Sequence, residues 1–430
     1  MIRNGLKREV GVIGAAFMGL GSIIGTGVFV SIGIAAGIAG PGVIAAIAIA
    51  AVVASCNGLS SAQLAASLPV SGGTYEYGYQ WLNPAAGFSA GWMFLCAKCA
   101  SAATAALGFA GYLAYAAGLP QSAIVPVALA TVLTLTLLVL GGIRSSNRAN
   151  LIIVSVTLLA LVAFIATGIP TLLDAGSVHL QGALSLENGP GALLEATALM
   201  FVAYTGYGRI ATLGEEVREP RRNIPRAIIA ALLVSMILYL AVAVVAVGTV
   251  GSERLSKFAL ERAAPLEMAA ASFGVKNVTA LVSVGALTAM LGVLLNLILG
   301  ISRVLLAMGR RGDMPSGLAR IGSRTGSPTA AILATGLAIM LLALTGSVKT
   351  TWTFSAFTVL IYYAITNLAA LRLPEAERLY PKWVAWAGLA ACLFLAFWVE
   401  TRYWLAGVIL IAAGLGWKAL INRLQEKKAE

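Results

Sequence analysis

Apolar runs of about 20 residues recur along the whole chain, and almost no charge interrupts them. No other feature limits the possible folds so tightly. A helix of about 20 residues, rising 1.5 Å per residue, spans the roughly 30 Å of a bilayer's hydrocarbon. Charged residues make up only 11% of the 430 and hydrophobic ones 59%, whereas a soluble domain carries roughly 25% charge. So little charge cannot coat a water-facing particle of this size, so the solvent must be largely lipid. In hydrocarbon every backbone N–H and C=O needs a partner inside the protein, which leaves helices or closed barrels. Barrel strands are about 10 residues long with alternating character, and these runs are longer and continuously apolar. The chain is therefore expected to be an all-α polytopic membrane protein.

About 12 transmembrane helices are expected, at 11–36, 41–66, 86–116, 122–141, 150–170, 193–213, 226–249, 277–308, 328–346, 351–372, 382–398 and 402–420. The segment 253–274 reads as an amphipathic external helix. The first ten spans divide into two five-helix halves, 11–170 and 193–372. Two peripheral helices follow in 382–420, with short ends at 1–10 and 421–430. Lysine and arginine set the orientation, because cytoplasmic loops carry the excess. With the N-terminus inside, 20 lie in predicted cytoplasmic segments and six outside. The other three, Lys98, Arg209 and Arg303, fall within spans. Both termini are thus expected in the cytoplasm, and the plasma (inner) membrane is the expected location. The first apolar run is too long for a cleavable signal peptide and shows no cleavage site. The net charge of +12 lies mainly in short loops, so no nucleic-acid partner is needed to explain it. The lipid bilayer is the expected surrounding, and no obligate protein partner is evident.

Two spans depart from regular helix. The first contains GLGSIIGTGVF (Gly19 to Phe29), with four glycines in eleven positions, a poor continuous helix. The sixth contains AYTGYGR (Ala203 to Arg209). Glycine interruptions at matching places in two halves point to inverted repeats with broken helices 1 and 6, as in secondary transporters. The bland alternative is that these glycines only let helices pack closely. A helix broken in mid-membrane frees N–H groups, which attract a carboxylate, and C=O groups, which attract an ammonium. One anion site beside one cation site suits an α-amino acid zwitterion.

At these residues the chain resembles the amino acid–polyamine–organocation superfamily, and within it the bacterial permeases of the cationic-amino-acid-transporter-like branch. GSIIGTGVFV (Gly21 to Val30), PVSGGTYEYGYQWL (Pro69 to Leu82), GIRSSNRAN (Gly142 to Asn150) and FVAYTGYGRIATLGEEVREPRRNIPRAI (Phe201 to Ile228) carry the resemblance. SRVLLAMGRRGDMP (Ser302 to Pro315) adds weaker support. The resemblance implies two inverted five-helix repeats plus two peripheral helices. It also implies that backbone N–H groups around Ile24, Gly25, Thr26 and Gly27 hold a substrate carboxylate. Backbone C=O groups of Val202, Ala203 and Thr205 would accept from its ammonium, and Tyr204 or Tyr207 would close over it. Ordinary aromatic packing is the competing reading of both tyrosines.

Some positions depart from the family. Arginine and agmatine exchangers carry an acid just after the glycine–aromatic pair of span six; here Gly208 and then Arg209 stand there, which argues against a cationic substrate. Proton-coupled relatives place a lysine in span five at the position of Thr157, and no clear Ser/Thr pair for sodium stands in span eight. The coupling ion is expected to be a proton rather than sodium, with no other cofactor.

The missing cation has a candidate replacement. LCAKCAS (Leu95 to Ser101) puts Lys98 twelve residues into span three, about 18 Å deep at 1.5 Å per residue. An ionisable group at that depth normally faces protein or a wet cavity. Lys98 is read as supplying, from another helix, the charge absent at Thr157; a lysine merely held by carbonyls is the alternative. Cys96 and Cys99 read as packing residues, since one helical turn suits a disulfide poorly and no histidine completes a metal site. No metal is expected. Asn296, Ser355, Tyr362 and Tyr363 are candidates for lining the pathway. An enzyme is not expected, because no nucleotide loop, metal cluster or nucleophile–base pattern stands out. The reading is a secondary active transporter of α-amino acids, neutral or broad in range, working by alternating access as a proton symporter or an exchanger. An amine or polyamine antiporter or amino acid exporter of the same fold, and a non-transporting amino acid sensor, are the rivals.

Overall fold

The structure is a computed structural model that describes residues 10–429, apart from 71, 143–146, 176–177, 182, 184–187, 213, 215 and 323–326. Among the described residues it is helical throughout. The one bridge joins Val10 to Val217, tying the start of the described chain to the segment after span six. In chain order the helices are α1 (Val12–Ile23), α2 (Ile32–Ala39), α3 (Val43–Ser67), α4 (Thr74–Trp81), α5 (Pro84–Ala116) and α6 (Ile124–Leu140). Next come α7 (Asn147–Ala175), α8 (Gly189–Tyr204), α9 (Gly208–Ala211), α10 (Pro220–Val250), α11 (Ser252–Arg262) and α12 (Pro265–Ala271). The last are α13 (Val278–Arg311), α14 (Thr329–Ala343), α15 (Val348–Leu371), α16 (Lys382–Ala396) and α17 (Thr401–Ala429).

Among the described residues, eight segments are long and apolar enough to cross a membrane unaided. The first, Val12–Ser67, is two passes joined by the Gly40–Gly42 turn, where Gly40 has φ +61° and a side chain would be strained. The broken pair α8/α9 and the shorter apolar helices α14 and α16 complete the multi-pass set that the apolar runs led us to expect. Burial sorts the helices. In α5 and α15, 72% of the spanning window is buried, against 11% in α17. α5 packs on both α13 and α15 and so forms the centre. α17 is peripheral and shows Leu405, Val408 and Ile409 outward, the surface that lipid covers. The expected external helix at 253–274 is two helices, α11 and α12, divided at Ala263, whose backbone is left-handed at φ +55°. The expected tail at 421–430 is instead a continuation of α17 as far as Ala429.

A polar knot fastens the end of the bundle that carries α4. Asp313, just past α13, is fully buried. Its Oδ2 accepts from the hydroxyls of Tyr75 and Tyr79 on α4, each at 2.7 Å. Lys418 of α17 donates to the other carboxylate oxygen, and Trp417 donates to the Asp313 backbone carbonyl at 3.0 Å. The Arg311 guanidinium lies 4.0 Å over the Tyr79 ring and pairs with Glu76. A buried carboxylate persists when hydrogen-bond donors and a cation answer it, and here two helices, α4 and α17, supply them.

The opposite end of the bundle holds a buried acid with fewer partners. Glu267 of α12 is 2% exposed. Ser283 of α13 donates to one carboxylate oxygen, while the other has no partner. Burial pushes the carboxyl from its ordinary 4.5 up to about 7, and the Ser283 hydrogen bond only partly opposes this. A carboxyl that binds protons more tightly when folded contributes stability fully below about pH 4.5; that contribution is lost as pH rises through about 7. Glu267→Gln keeps the shape without the titration. We expect it to melt with wild type at pH 5 and higher than wild type at pH 8, by about 2 °C or more. Identical melting curves at both pH values would remove the carboxyl from the pH response.

Candidate substrate-binding site

The first break arises where the glycines cluster. α1 closes with the Ile24 N–H on the Leu20 carbonyl at 2.7 Å, and Ile24 then turns extended at ψ 104°. Helix resumes at Gly27 in wider π-type turns running to Ser31. The first N–H groups of a new helix have no acceptor within it, so this gap presents donors in mid-membrane. Thr26 and Gly27 line a cavity of about 40 Å³. The Thr26 hydroxyl is buried and has no partner. Ile24 and Gly25 do not line that cavity. Gly25 sits against α13, where a Cβ would come within 2.7 Å of Val293.

The second break lies alongside. α8 stops at Tyr204, the tight turn Thr205–Tyr207 follows, and α9 resumes at Gly208. Val202, Ala203 and Thr205 line the same small cavity as Thr26 and Gly27. Their carbonyls are already engaged, those of Val202 and Thr205 twice, because the Thr205 N–H also donates to Val202 and the Gly208 N–H to Thr205. Val202 accepts from the Thr205 hydroxyl at 2.8 Å, and Thr205 accepts from Tyr363 at 3.1 Å. The Tyr239 hydroxyl donates across both breaks, to Ile23 at 2.7 Å and Ala203 at 3.2 Å. The two breaks touch through backbone: a Cβ on Gly206 would lie 2.2 Å from the Ser22 carbonyl oxygen.

Lys98 of α5 reaches this junction. Its ammonium donates to the Thr205 hydroxyl at 3.2 Å, and it borders the small cavity and a larger one of about 130 Å³. The two cavities share Ser22, Lys98, Thr205, Gly206, Val293 and Leu297 and so form one continuous site. The larger one extends toward the end of the bundle that holds α4, past Asn296, Tyr362, Arg209 and Arg303. Trp352 closes the small end, its indole N–H on the Leu199 carbonyl at 3.0 Å.

The remaining candidates divide. Asn296 and Tyr362 line the large cavity. Ser355 lines neither; its hydroxyl lies 2.8 Å from that of Ser101, which does. Thr157 donates to its own helix at Ile153, 2.8 Å, and lines neither cavity. Tyr204 and Tyr207 are fully buried and also line neither. Tyr204 packs on Tyr239 at 5.0 Å, and Tyr207 on Tyr363 at 5.4 Å. Phe94, Tyr362 and Tyr363 are the aromatics that line the larger cavity. Sequence reasoning missed Tyr239 and Trp352, while Tyr363 belongs with Ser355 and Tyr362 among the span-ten candidates for the pathway. Arg209 and Arg303 carried a signal, as cations inside spans, but were not assigned to the site. All four cysteines are free. Glu215 lies outside the described residues.

The sequence matches a known family and known transporters along nearly its whole length. The family model described as amino acid permease matches residues 14–428. An uncharacterized transporter of Mycobacterium tuberculosis is 40% identical over 98% of this chain and 94% of its own length. A branched-chain amino acid permease of Bacillus subtilis is 29% identical over 75% of this chain and 71% of its own. A methylthioribose transporter of the same species is 28% identical over 95% and 92%.

Proposed function

The chain belongs to the amino acid permease family, and from that premise we propose that it is a secondary active transporter of α-amino acids, working by alternating access across the plasma membrane with its termini in the cytoplasm. The observation that carries this is the meeting of two broken helices at one cavity, Thr26 and Gly27 on one side and Val202, Ala203 and Thr205 on the other. The substrate carboxylate takes the N–H groups and free hydroxyl of the first break. Its ammonium lies against the carbonyl oxygens of the second, at the negative end of α8. The backbone supplies both sites, so they read the part that all α-amino acids share. The side chain then lies in the larger cavity.

Lys98 is the coupling residue in this reading. Its ammonium holds Thr205, at the second break, and no described acid pairs with it. A proton leaving Lys98 removes the charge that holds that break, so substrate and proton movement are linked through one side chain. The larger cavity opens toward the basic end of the bundle, which this orientation places in the cytoplasm. Tyr239, bonded to both breaks, is the hinge pin that keeps them in register as the bundle rocks.

The test is uptake of a labelled amino acid mixture into proteoliposomes that contain no internal substrate. Uptake that rises with an inward proton gradient is expected for symport. Uptake that appears only after preloading would make the protein an exchanger, with Lys98 a fixed charge. Amino acid binding without any uptake would replace the transporter with a sensor.

A further inference from the structure

Three cations converge on the larger cavity: Lys98, Arg209 and Arg303. They arrive from three separate helices. Arg209 lies four residues beyond Thr205, about one helical turn, so it points down the same wall. Arg303 belongs to a stripe on α13, in which Asn296, Gly300, Arg303 and Ala307 all face the cavity; spacings of three and four put them on one side of a helix. Among the described residues, no Asp or Glu lines the cavity. Neither arginine forms an ion pair with a described carboxylate. Arg303 repels Arg209, and the one acid that draws on Arg209 electrostatically is Glu216, which does not line the cavity.

Arginines near a membrane's basic face are ordinarily answered by water or lipid phosphate. These two, Arg209 half-buried and Arg303 exposed, also line one cavity with an intramembrane lysine. A zwitterion brings one negative and one positive charge, and the backbone groups at the two breaks already match both. It therefore leaves all three cations unanswered. A second carboxylate on the substrate would answer them, since a guanidinium fork matches a carboxylate in shape and charge. We infer that the transported amino acid carries an acidic side chain, as aspartate and glutamate do, with that carboxylate between Arg209 and Arg303. Convergent positive charge also raises the local concentration of an anionic substrate at the cavity mouth. The inference rests on the transport reading above and narrows its substrate class.

The experiment compares isosteres that differ only in charge. The full chain is reconstituted, and uptake of labelled L-glutamate and L-glutamine is measured at pH 7, with binding of each followed separately in detergent by its effect on melting temperature. The expected glutamate-to-glutamine uptake ratio is about tenfold or more. Arg209→Gln and Arg303→Gln should each lower it by a similar factor, and Arg209→Lys should restore part of it. Wild-type protein alone decides the main point, so a variant that fails to fold costs nothing. Glutamine uptake with glutamate excluded overturns the acidic substrate and leaves the transport reading standing. Glutamate-selective binding without uptake keeps the acidic ligand and overturns transport. Neither binding nor uptake of either amino acid overturns both.

Discussion

Gly206→Ala is expected to lower uptake about 100-fold while the protein still inserts in the membrane. The new methyl would lie 2.2 Å from the Ser22 carbonyl oxygen and 2.4 Å from the Ile23 nitrogen. Both obstacles are backbone, so no side chain can swing aside. The two broken helices must separate by about 1 Å, and a displacement of that size between reacting or binding groups costs about 100-fold. Overpacking of this kind also destabilises by about 1–3 kcal/mol. The comparison variant is Gly416→Ala on the peripheral helix α17, where nothing lies within 4 Å of the added methyl; it should transport normally. The measurement is initial uptake per inserted molecule in proteoliposomes. Wild-type uptake by Gly206→Ala would mean that contact between the two breaks is not part of the transport cycle.

Lys98→Met should have the second-largest effect. It removes an ammonium and its hydrogen bond to Thr205 but keeps most of the apolar stem. A charged hydrogen bond contributes about 1.5–3 kcal/mol, which corresponds to about 10- to 100-fold in rate if it is made only in the committed step. Residual uptake should no longer respond to an imposed proton gradient. Lys98→Arg keeps a charge that does not titrate in this range, and so separates two roles. If arginine restores uptake without the gradient response, Lys98 is the proton carrier. If arginine restores both, the lysine is a fixed charge. Wild-type rate and gradient response in Lys98→Met would end the case for a coupling role.

The parts of the fold that were legible are those written in composition. Long uncharged runs gave the passes, because lipid leaves the backbone no other choice. The two breaks were legible because glycine leaves a visible mark wherever helix fails. Lys98 could be placed by depth alone. What could not be read depends on which way side chains point once a helix breaks. Tyr204 and Tyr207 were expected over the substrate, yet the break turns them into the core, and Tyr363 arrives from α15, more than 150 residues away in sequence. α4 was not expected as a helix. It is eight residues with three tyrosines and a glycine, and two of those tyrosines, Tyr75 and Tyr79, are fixed by Asp313, which lies 238 residues beyond Tyr75. Arg209 and Arg303 were visible as buried-depth cations, but only the folded bundle shows that they face one another.

The knot at Asp313 has a consequence for how the protein is made. The carboxylate is synthesised 105 residues before Lys418, the cation that answers it. The tyrosines of α4 leave the ribosome well before either. During translation the acid and both hydroxyls must therefore wait, hydrated, at the membrane surface until α17 has been threaded and laid against them. Closing that end of the bundle is thus a late event in biogenesis. A nascent chain halted before Trp417 and Lys418 would hold every cavity-lining residue named above and still leave the Asp313 carboxylate without its cation, so the last helix completes the knot only after the site itself has been made.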